Sequence, residues 1–424
     1  MKGFHFVSAG LVIVLAVFLL TPWEASAVPS FARQTSQACS ACHFQNFPTL
    51  NGFGRAFRSA GYTMTGGQDQ VEGENLTIPA TLNTSMIAKL RYQKTNGDTN
   101  KGTDYGSIQW PDEAALLVGG QLAKDAGFLM ELGFSGTPVE GNANLSTGDV
   151  TATNRAFLST KVHFNVGTQA NTRFSIIPFS TDSLGTGYGF ELLNTGAQRS
   201  IRPIEERAGF SAAQTLGLGS GEATGLALVA SGNEFFINLS PWVPGWGGTN
   251  TDVKVSGLAN YLRAAYMPYI RGWDTGFGVQ WWGGDTTISD GTGGETTLVV
   301  DGWVVDFQAQ GDLAAMPLGI YASYGTATAD PNSIFNKNAD DATAFGLLAQ
   351  LGVLPKTSVY LAYRTKKDGA VSDDTYNAVT YGVNYLIAEN IRFEIYGVSE
   401  SGSGVDARAS GQDTMYLAQL FAGY

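Results

Sequence analysis

Cysteine is almost absent from this chain: among 424 residues there are two, Cys39 and Cys42. A fold knitted together by disulfides is therefore excluded. Charge is sparse as well, at 15% of residues, and the formal net charge is −12 with no Lys/Arg-rich run. Nucleic acid is excluded as a partner, since its recognition requires a basic footprint. The three histidines are His5, His43 and His163. With so few imidazoles, and no Ser-His-Asp, paired-carboxylate or phosphate-loop constellation, no acid-base or nucleophilic catalytic residue is assigned. Beyond the first 27 residues no stretch reaches the ~18 consecutive apolar residues of a membrane-spanning helix. What is abundant is glycine, with 54 residues, and aromatics, at 12%. That composition fits neither a disordered nor a collagen-like chain.

The first residues read as an export signal. Lys2 precedes an apolar run from Phe6 to Leu20, and Ala25-Ser26-Ala27 supplies small residues at a cleavage site. Residues 1–27 are expected to be removed after Ala27, leaving Val28 as the mature start; an uncleaved anchor is the alternative.

From about residue 80 the chain repeats stretches of about ten residues that alternate apolar and polar, separated by Gly/Asn/Asp/Ser turns. Leu82, Met86, Ala88, Leu90 and Tyr92 alternate with Asn83, Ser85, Lys89, Arg91 and Gln93. Leu158, Val162, Phe164 and Val166 oppose Ser159, Lys161, His163 and Asn165, and the split returns in Trp303, Val305 and Phe307 against Asp306 and Gln308. In the last such pair, Ile391, Phe393 and Ile395 oppose Arg392, Glu394 and Tyr396.

One face suits lipid and the other suits water, so the mature chain is expected to cross a membrane as a barrel, the sheet that has no edge to leave unpaired. Tight turns are expected at Lys124-Asp125-Ala126-Gly127, Gly167-Thr168-Gln169, Pro355-Lys356 and Ala388-Glu389-Asn390. Long loops are expected near 138–151, 181–202, 284–295, 327–341, 366–375 and 399–411. The count is about 16 strands, with Gly225 to Leu239 taken as one; a turn at Ser231-Gly232-Asn233 would upset it. The last strand alternates Tyr416, Ala418, Leu420, Ala422 and Tyr424, and such terminal strands are common in outer-membrane barrels. A soluble β-sandwich shares the alternation but has no reason to end this way.

Ahead of the barrel, Cys39-Ser40-Ala41-Cys42-His43 has the C-x-x-C-H spacing of a c-type haem attachment site. Two thiols three positions apart can add to the two vinyl groups of one porphyrin, and the adjacent imidazole of His43 reaches the iron from one face. A redox-active or structural C-x-x-C is the competing reading. Thr49 to Gly61 reads as a helix capped by Thr49 and ended by Gly61, with Leu50, Phe53, Phe57 and Ala60 on one face, which either covers one side of the porphyrin or packs on protein alone. Only about 40 residues separate Val28 from Gly67, too few to enclose a haem unaided, so this segment is expected to sit in or cap the barrel.

The sixth iron ligand is open. Met64 is the leading candidate and His163, on the lumen-facing phase of its strand, is the rival; Met86, Met130, Met267, Met316 and Met415 remain, as does an open site. Lys89, Arg91, Lys161, Arg173, Arg263, Arg364 and Arg392 are basic lumen residues that can hold haem propionates or acidic partners, or are ordinary lumen lining. The expected organisation is a signal peptide at 1–27, a monohaem cytochrome c segment at 28–75 and a transmembrane antiparallel β-barrel at 76–424.

The run Val28-Pro29-Ser30-Phe31-Ala32-Arg33-Gln34-Thr35 leading into the haem motif, followed by Phe53-Gly54-Arg55-Ala56-Phe57 and Gly61-Tyr62-Thr63, resembles the fused cytochrome-porins of iron-oxidising bacteria, the monohaem outer-membrane Fe(II) oxidases. Ser36 departs from the glycine usual there. Similar blocks occur in cytochrome-porins of unestablished substrate. The resemblance implies an outer-membrane location, extracellular Fe(II) as electron donor and a periplasmic c-type cytochrome as acceptor. The competing functions are a transport porin whose haem plugs or senses the pore, and an outward electron conduit. The acidic pairs Asp340-Asp341 and Asp373-Asp374 either attract Fe²⁺ or simply solvate loops.

Overall fold

In a computed structural model, the described residues are 30–47, 49–74, 76–97, 106–133, 157–169, 171–181, 211–219, 223–245, 255, 257–289, 295–372 and 374–424. The export signal, the mature start at Val28, the loop expected at 138–151 and all but the first residue of that expected at 181–202 lie outside them.

A small hairpin comes first, with β1 (Gln70–Gly73) pairing antiparallel with β2 (Leu76–Pro79) as a separate two-stranded sheet. The wall then runs through β3 (Thr84–Thr95), β4 (Gly106–Ala123), β5 (Ala126–Gly133), β6 (Phe157–Gln169), β7 (Thr172–Thr181), β8 (Ala223–Ser231) and β9 (Phe235–Pro244). It continues through β10 (Ala259–Tyr266), β11 (Tyr269–Ile270), β12 (Trp273–Ser289), β13 (Glu295–Leu313) and β14 (Met316–Ala327). The last strands are β15 (Ala342–Leu354), β16 (Thr357–Lys367), β17 (Thr375–Ala388), β18 (Ile391–Ser401) and β19 (Thr414–Gly423). Each pairs antiparallel with its neighbour, and β19 pairs with β3 from Met415↔Thr95 to Gly423↔Ile87, closing the cylinder. The two residues of β11 fold back on Trp273 and Asp274, inside the β10–β12 hairpin, so the wall has 16 strands.

The alternation decides which way each side chain points. On β12 and β13, Phe277, Val279 and Trp281 lie opposite Phe307, Val305 and Trp303. Most of these outward residues are exposed, whereas their inward neighbours Gln280, Asp306 and Gln308 are buried. A continuous exposed apolar belt on a closed sheet is a lipid-facing surface. This is a transmembrane barrel of the outer-membrane kind. No helix among the described residues is long and apolar enough to cross a membrane.

Within the lumen, cations meet carboxylates: Arg263 with Asp306, Arg91 with Asp112 at 2.7 Å, and Lys89 with Glu113. Both members of the Arg263–Asp306 pair are fully enclosed at their side chains. Removing one partner strands the other charge. Asp306→Ala is therefore expected to cost about 3–5 kcal/mol, read as a lower denaturant midpoint for the detergent-solubilised barrel.

Four details of the strand pattern differ from the sequence reading. The run Gly225 to Leu239 is two strands, β8 and β9, joined across Gly232, Asn233 and Glu234. The turn expected at Gly167-Thr168-Gln169 lies further on: β6 continues through Gln169, past a register shift after Asn165, because these polar residues still pair with β7. Likewise β12 extends to Ser289, so the loop expected from 284 begins later, and the barrel itself begins at Thr84, the preceding hairpin being separate.

The short connections and Tyr424 share one end of the barrel, which makes it the periplasmic end. Between β7 and β8, residues 211–219 enter the lumen. Ser211 caps the short helix Ala212–Leu216 by accepting from Gln214 N at 3.2 Å, and Gly217, at φ 70°, ends it. Ala212 N donates to Ser323 Oγ on the opposite wall at 2.8 Å. Ala213, Leu216 and Leu218 join Trp242, Tyr261 and Trp282 in an apolar cluster inside the cylinder. An apolar lumen filled this way is unlike the all-polar interior that the strand alternation alone implies.

Candidate functional site at the plugged end

Three short helices precede the barrel: α1 (Ser30–Thr35), α2 (Cys39–Cys42) and α3 (Gly52–Ser59). The α2 turn places Cys39 and Cys42, three residues apart, on the same side. His43 leaves the turn in an extended conformation, its N–H donating to Cys39 O at 2.9 Å. The chain then doubles back, with Phe44 N donating to Thr49 O at 2.8 Å and Asn51 N to Cys42 O at 3.0 Å.

Asn51, not Thr49, caps α3, because its side chain accepts from Gly54 N at 2.9 Å while Thr49 is spent on the doubled-back backbone. Phe57 of α3 and Leu50, which precedes the helix, both line the inner side as expected, but Phe53 is exposed. Gly54 is demanded by contact: a Cβ there would stand 2.2 Å from Cys42 O. Gly54→Ala must push α3 away from the cysteine turn.

Barrel residues hold the segment in the lumen. Arg55 makes two 2.6 Å contacts with the carboxylate of Asp274, and Gln310 Nε2 donates to Leu50 O at 3.0 Å. Gln45 Nε2 reaches Pro317 O and Gln350 O, Asn83 Nδ2 donates to Gln34 Oε1 at 3.2 Å, and Arg392 donates to Phe47 O. These anchors come from β12, β13, β14, β15 and β18 and from the approach to β3. The expectation of a segment inserted in the barrel is met by this plug.

Between plug and wall lies a cavity of about 240 Å³. Cys39, Cys42 and His43 all line it, opposite apolar wall residues such as Ile87, Leu117, Leu129 and Phe421. Phe47 stacks on Phe421, with centroids 5.2 Å apart, and its ring lies 5.3 Å from that of His43. The polar members of the lining include Arg58, Glu131, Lys161 and Glu389. Glu389, on the short turn between β17 and β18, accepts from Cys39 N at 2.9 Å. Burial, then the Glu389 charge, push the Cys39 thiol up to about 11, and burial raises Cys42 too. A dithiol built for exchange has a depressed pKa, so this environment disfavours a redox-active C-x-x-C.

The donor set fits a c-type porphyrin: two thiols and one imidazole open onto one apolar cavity with cations at hand. Neither expected distal ligand borders that cavity. Met64 is partly exposed, and its role in the packing is a backbone one, its carbonyl accepting from Gln34 Nε2 at 2.8 Å. His163 faces the lumen, as the strand phase requires, but it packs against Gly61 and its Nε2 lies 3.2 Å from Asn165 Oδ1. Of the basic lumen residues named from sequence, only Lys161 lines the cavity; Arg58 and Glu389 were missed, because their proximity depends on how plug and wall meet. The acidic loop residues serve local turns: Asp341 accepts from Ala329 N and Asp374 from Ser372 Oγ. Asp373 lies outside the described residues, and among those described no group of three or more metal-binding side chains occurs.

No protein-family model matches the chain, and no curated protein does. Solved structures resemble it. OprB of Pseudomonas putida is 11% identical with a TM-score of 0.53, over 81% of this chain and 94% of that one. The outer membrane channel DcaP of Acinetobacter baumannii is 13% identical with a TM-score of 0.49, over 84% and 99%. An anion-selective porin from Comamonas acidovorans is 13% identical with a TM-score of 0.48, over 81% and 99%. The likeness to OprB is one of fold.

Proposed function

We propose that this protein is an outer-membrane c-type cytochrome that takes electrons from extracellular Fe(II) and delivers them to a periplasmic c-type cytochrome. The observation that carries the reading is the convergence of Cys39, Cys42 and His43 on one apolar cavity inside a membrane barrel. Cys39 and Cys42 would form the thioethers and His43 the proximal bond. A haem c bound there supplies one-electron exchange between ferric and ferrous iron.

The residues around it exclude water and fix orientation. Phe47 and Phe421 hold the side of His43, Leu129 and Ile87 cover the wall side, and Arg55 with Asp274 seats the plug. Ser40, between the two cysteines, is exposed at the short-turn end, which supports electron delivery on the periplasmic side. Fe(II) as donor rests on the resemblance of the N-terminal block, and the donor's electron has to traverse the outer lumen, where α4 (Ala212–Leu216) packs on Trp282 and Tyr261.

A haem-containing transport channel is the second reading, favoured by a wall of the size that encloses aqueous channels. To test the donor, ferric protein is mixed anaerobically with Fe(II) while its visible spectrum is followed. Reduction within seconds is expected. A haem that stays ferric under excess Fe(II) yet accepts electrons from another donor makes iron the wrong substrate.

A further inference from the structure

We propose that Glu389, on the short turn between β17 and β18, is a positioning residue for the cysteine turn and holds down the midpoint potential of the haem attached there. This rests on the haem reading and adds to it a residue of the barrel wall that controls the group. The carboxylate grips the start of the motif: Oε2 accepts from Cys39 N at 2.9 Å, and Ser40 Oγ donates to Oε1 at 3.5 Å. Both oxygens are thus turned toward the plug, and Glu389 lines the cavity together with Cys39, Cys42 and His43.

The turn that presents this carboxylate is itself fixed. Asn390 Nδ2 donates to Gly423 O at 2.7 Å, and Gly423 N returns a bond to Asn390 O at 2.9 Å, tying the turn to the end of β19. On its other side Leu386 N donates to Lys356 O at 2.8 Å, which joins it to the turn between β15 and β16. A charge-assisted bond to a backbone N–H is strong and directional, so a carboxylate on so anchored a turn sets where Cys39 stands.

The charge has a second consequence. Ferric haem carries one more positive charge than ferrous haem, so a fixed carboxylate favours the ferric form, the more so beside apolar lining. The field of Glu389 already acts on the Cys39 sulfur, where it adds to burial in raising the thiol. A lower midpoint makes the ferrous group the stronger electron donor at the end where Ser40 is exposed.

The test uses full-length holoprotein and the variants Glu389→Gln, Glu389→Ala and Glu389→Asp, with midpoint potential, Soret circular dichroism and covalent haem per chain measured at one pH. Gln keeps an oxygen for Cys39 N and removes the charge, so the midpoint should rise while the dichroism stays as in the wild type. Ala removes both, so the midpoint should rise and the dichroism should change shape as the turn loses its anchor. Asp, which keeps the charge, should stay nearer the wild-type midpoint than Gln does. The other charged groups of the lining, Arg58, Glu131 and Lys161, are the same in every comparison.

If the Gln variant carries no haem, Glu389→Asp against Glu389→Asn, equal in size and differing in charge, makes the same comparison. A wild-type midpoint in the uncharged variant overturns the electrostatic role, and unchanged dichroism in Glu389→Ala overturns the positioning role. Wild-type protein without covalent haem overturns both together with the reading beneath them.

Discussion

Replacing both Cys39 and Cys42 by alanine is expected to abolish covalent haem completely, leaving a barrel that still folds. Neither thiol contributes to the wall: both sit on a single turn of the plug, and the backbone contacts of that turn, Cys39 N to Glu389 and Asn51 N to Cys42 O, survive the substitution. The loss should thus be specific to the cofactor. Peroxidase staining after denaturing electrophoresis reads the haem, and the shift in mobility between heated and unheated samples reads the barrel. The single variants should each retain a weakened attachment through the remaining thiol. A stained band of normal strength from the double variant would mean that the porphyrin is held elsewhere.

Deleting residues 30–67 should convert an electrically quiet barrel into a conducting one. The plug is fastened to the wall by contacts from several strands, and it is expected to obstruct the passage of ions. A barrel of 16 strands without a plug leaves an aqueous channel. Single-channel current in a planar bilayer is expected to rise on the order of tenfold or more, short of a bare barrel because α4 and its apolar cluster remain. Large steady conductance from the intact holoprotein would favour the transport reading.

The wall was legible because lipid and lumen impose a two-residue period on every strand, and the inward Lys89, His163 and Glu394 obey it. Where the period weakened, the reading slipped. The apolar run through β8 and β9 hides its turn at Gly232, because Ala, Val and Phe on either side give no contrast between faces. In sequence the polar tail of β6 reads as a turn because Gly167 and Thr168 resemble loop residues, and only pairing with β7 keeps them in the sheet.

In the site, the C-x-x-C-H spacing is local, so Cys39, Cys42 and His43 could be assembled from sequence. Met64 and His163 could not be placed, because sequence distance does not say on which side of the plug a residue falls. Lys161 was reachable through strand phase, whereas Arg58 and Glu389 become neighbours of the cavity only when the plug is seated. The short helix at Ala212–Leu216 carries a legible cap in Ser211 and a stop in Gly217, yet its insertion into the lumen is a tertiary fact.

Mass analysis of the proteolytic peptide spanning Cys39 to His43, taken from the mature outer-membrane protein, bears most directly on the central claim. The account predicts a peptide heavier by one iron-porphyrin attached at both cysteines. A peptide with two unmodified thiols, or with a Cys39–Cys42 disulfide, from cells that attach haem to their other c-type cytochromes would contradict it.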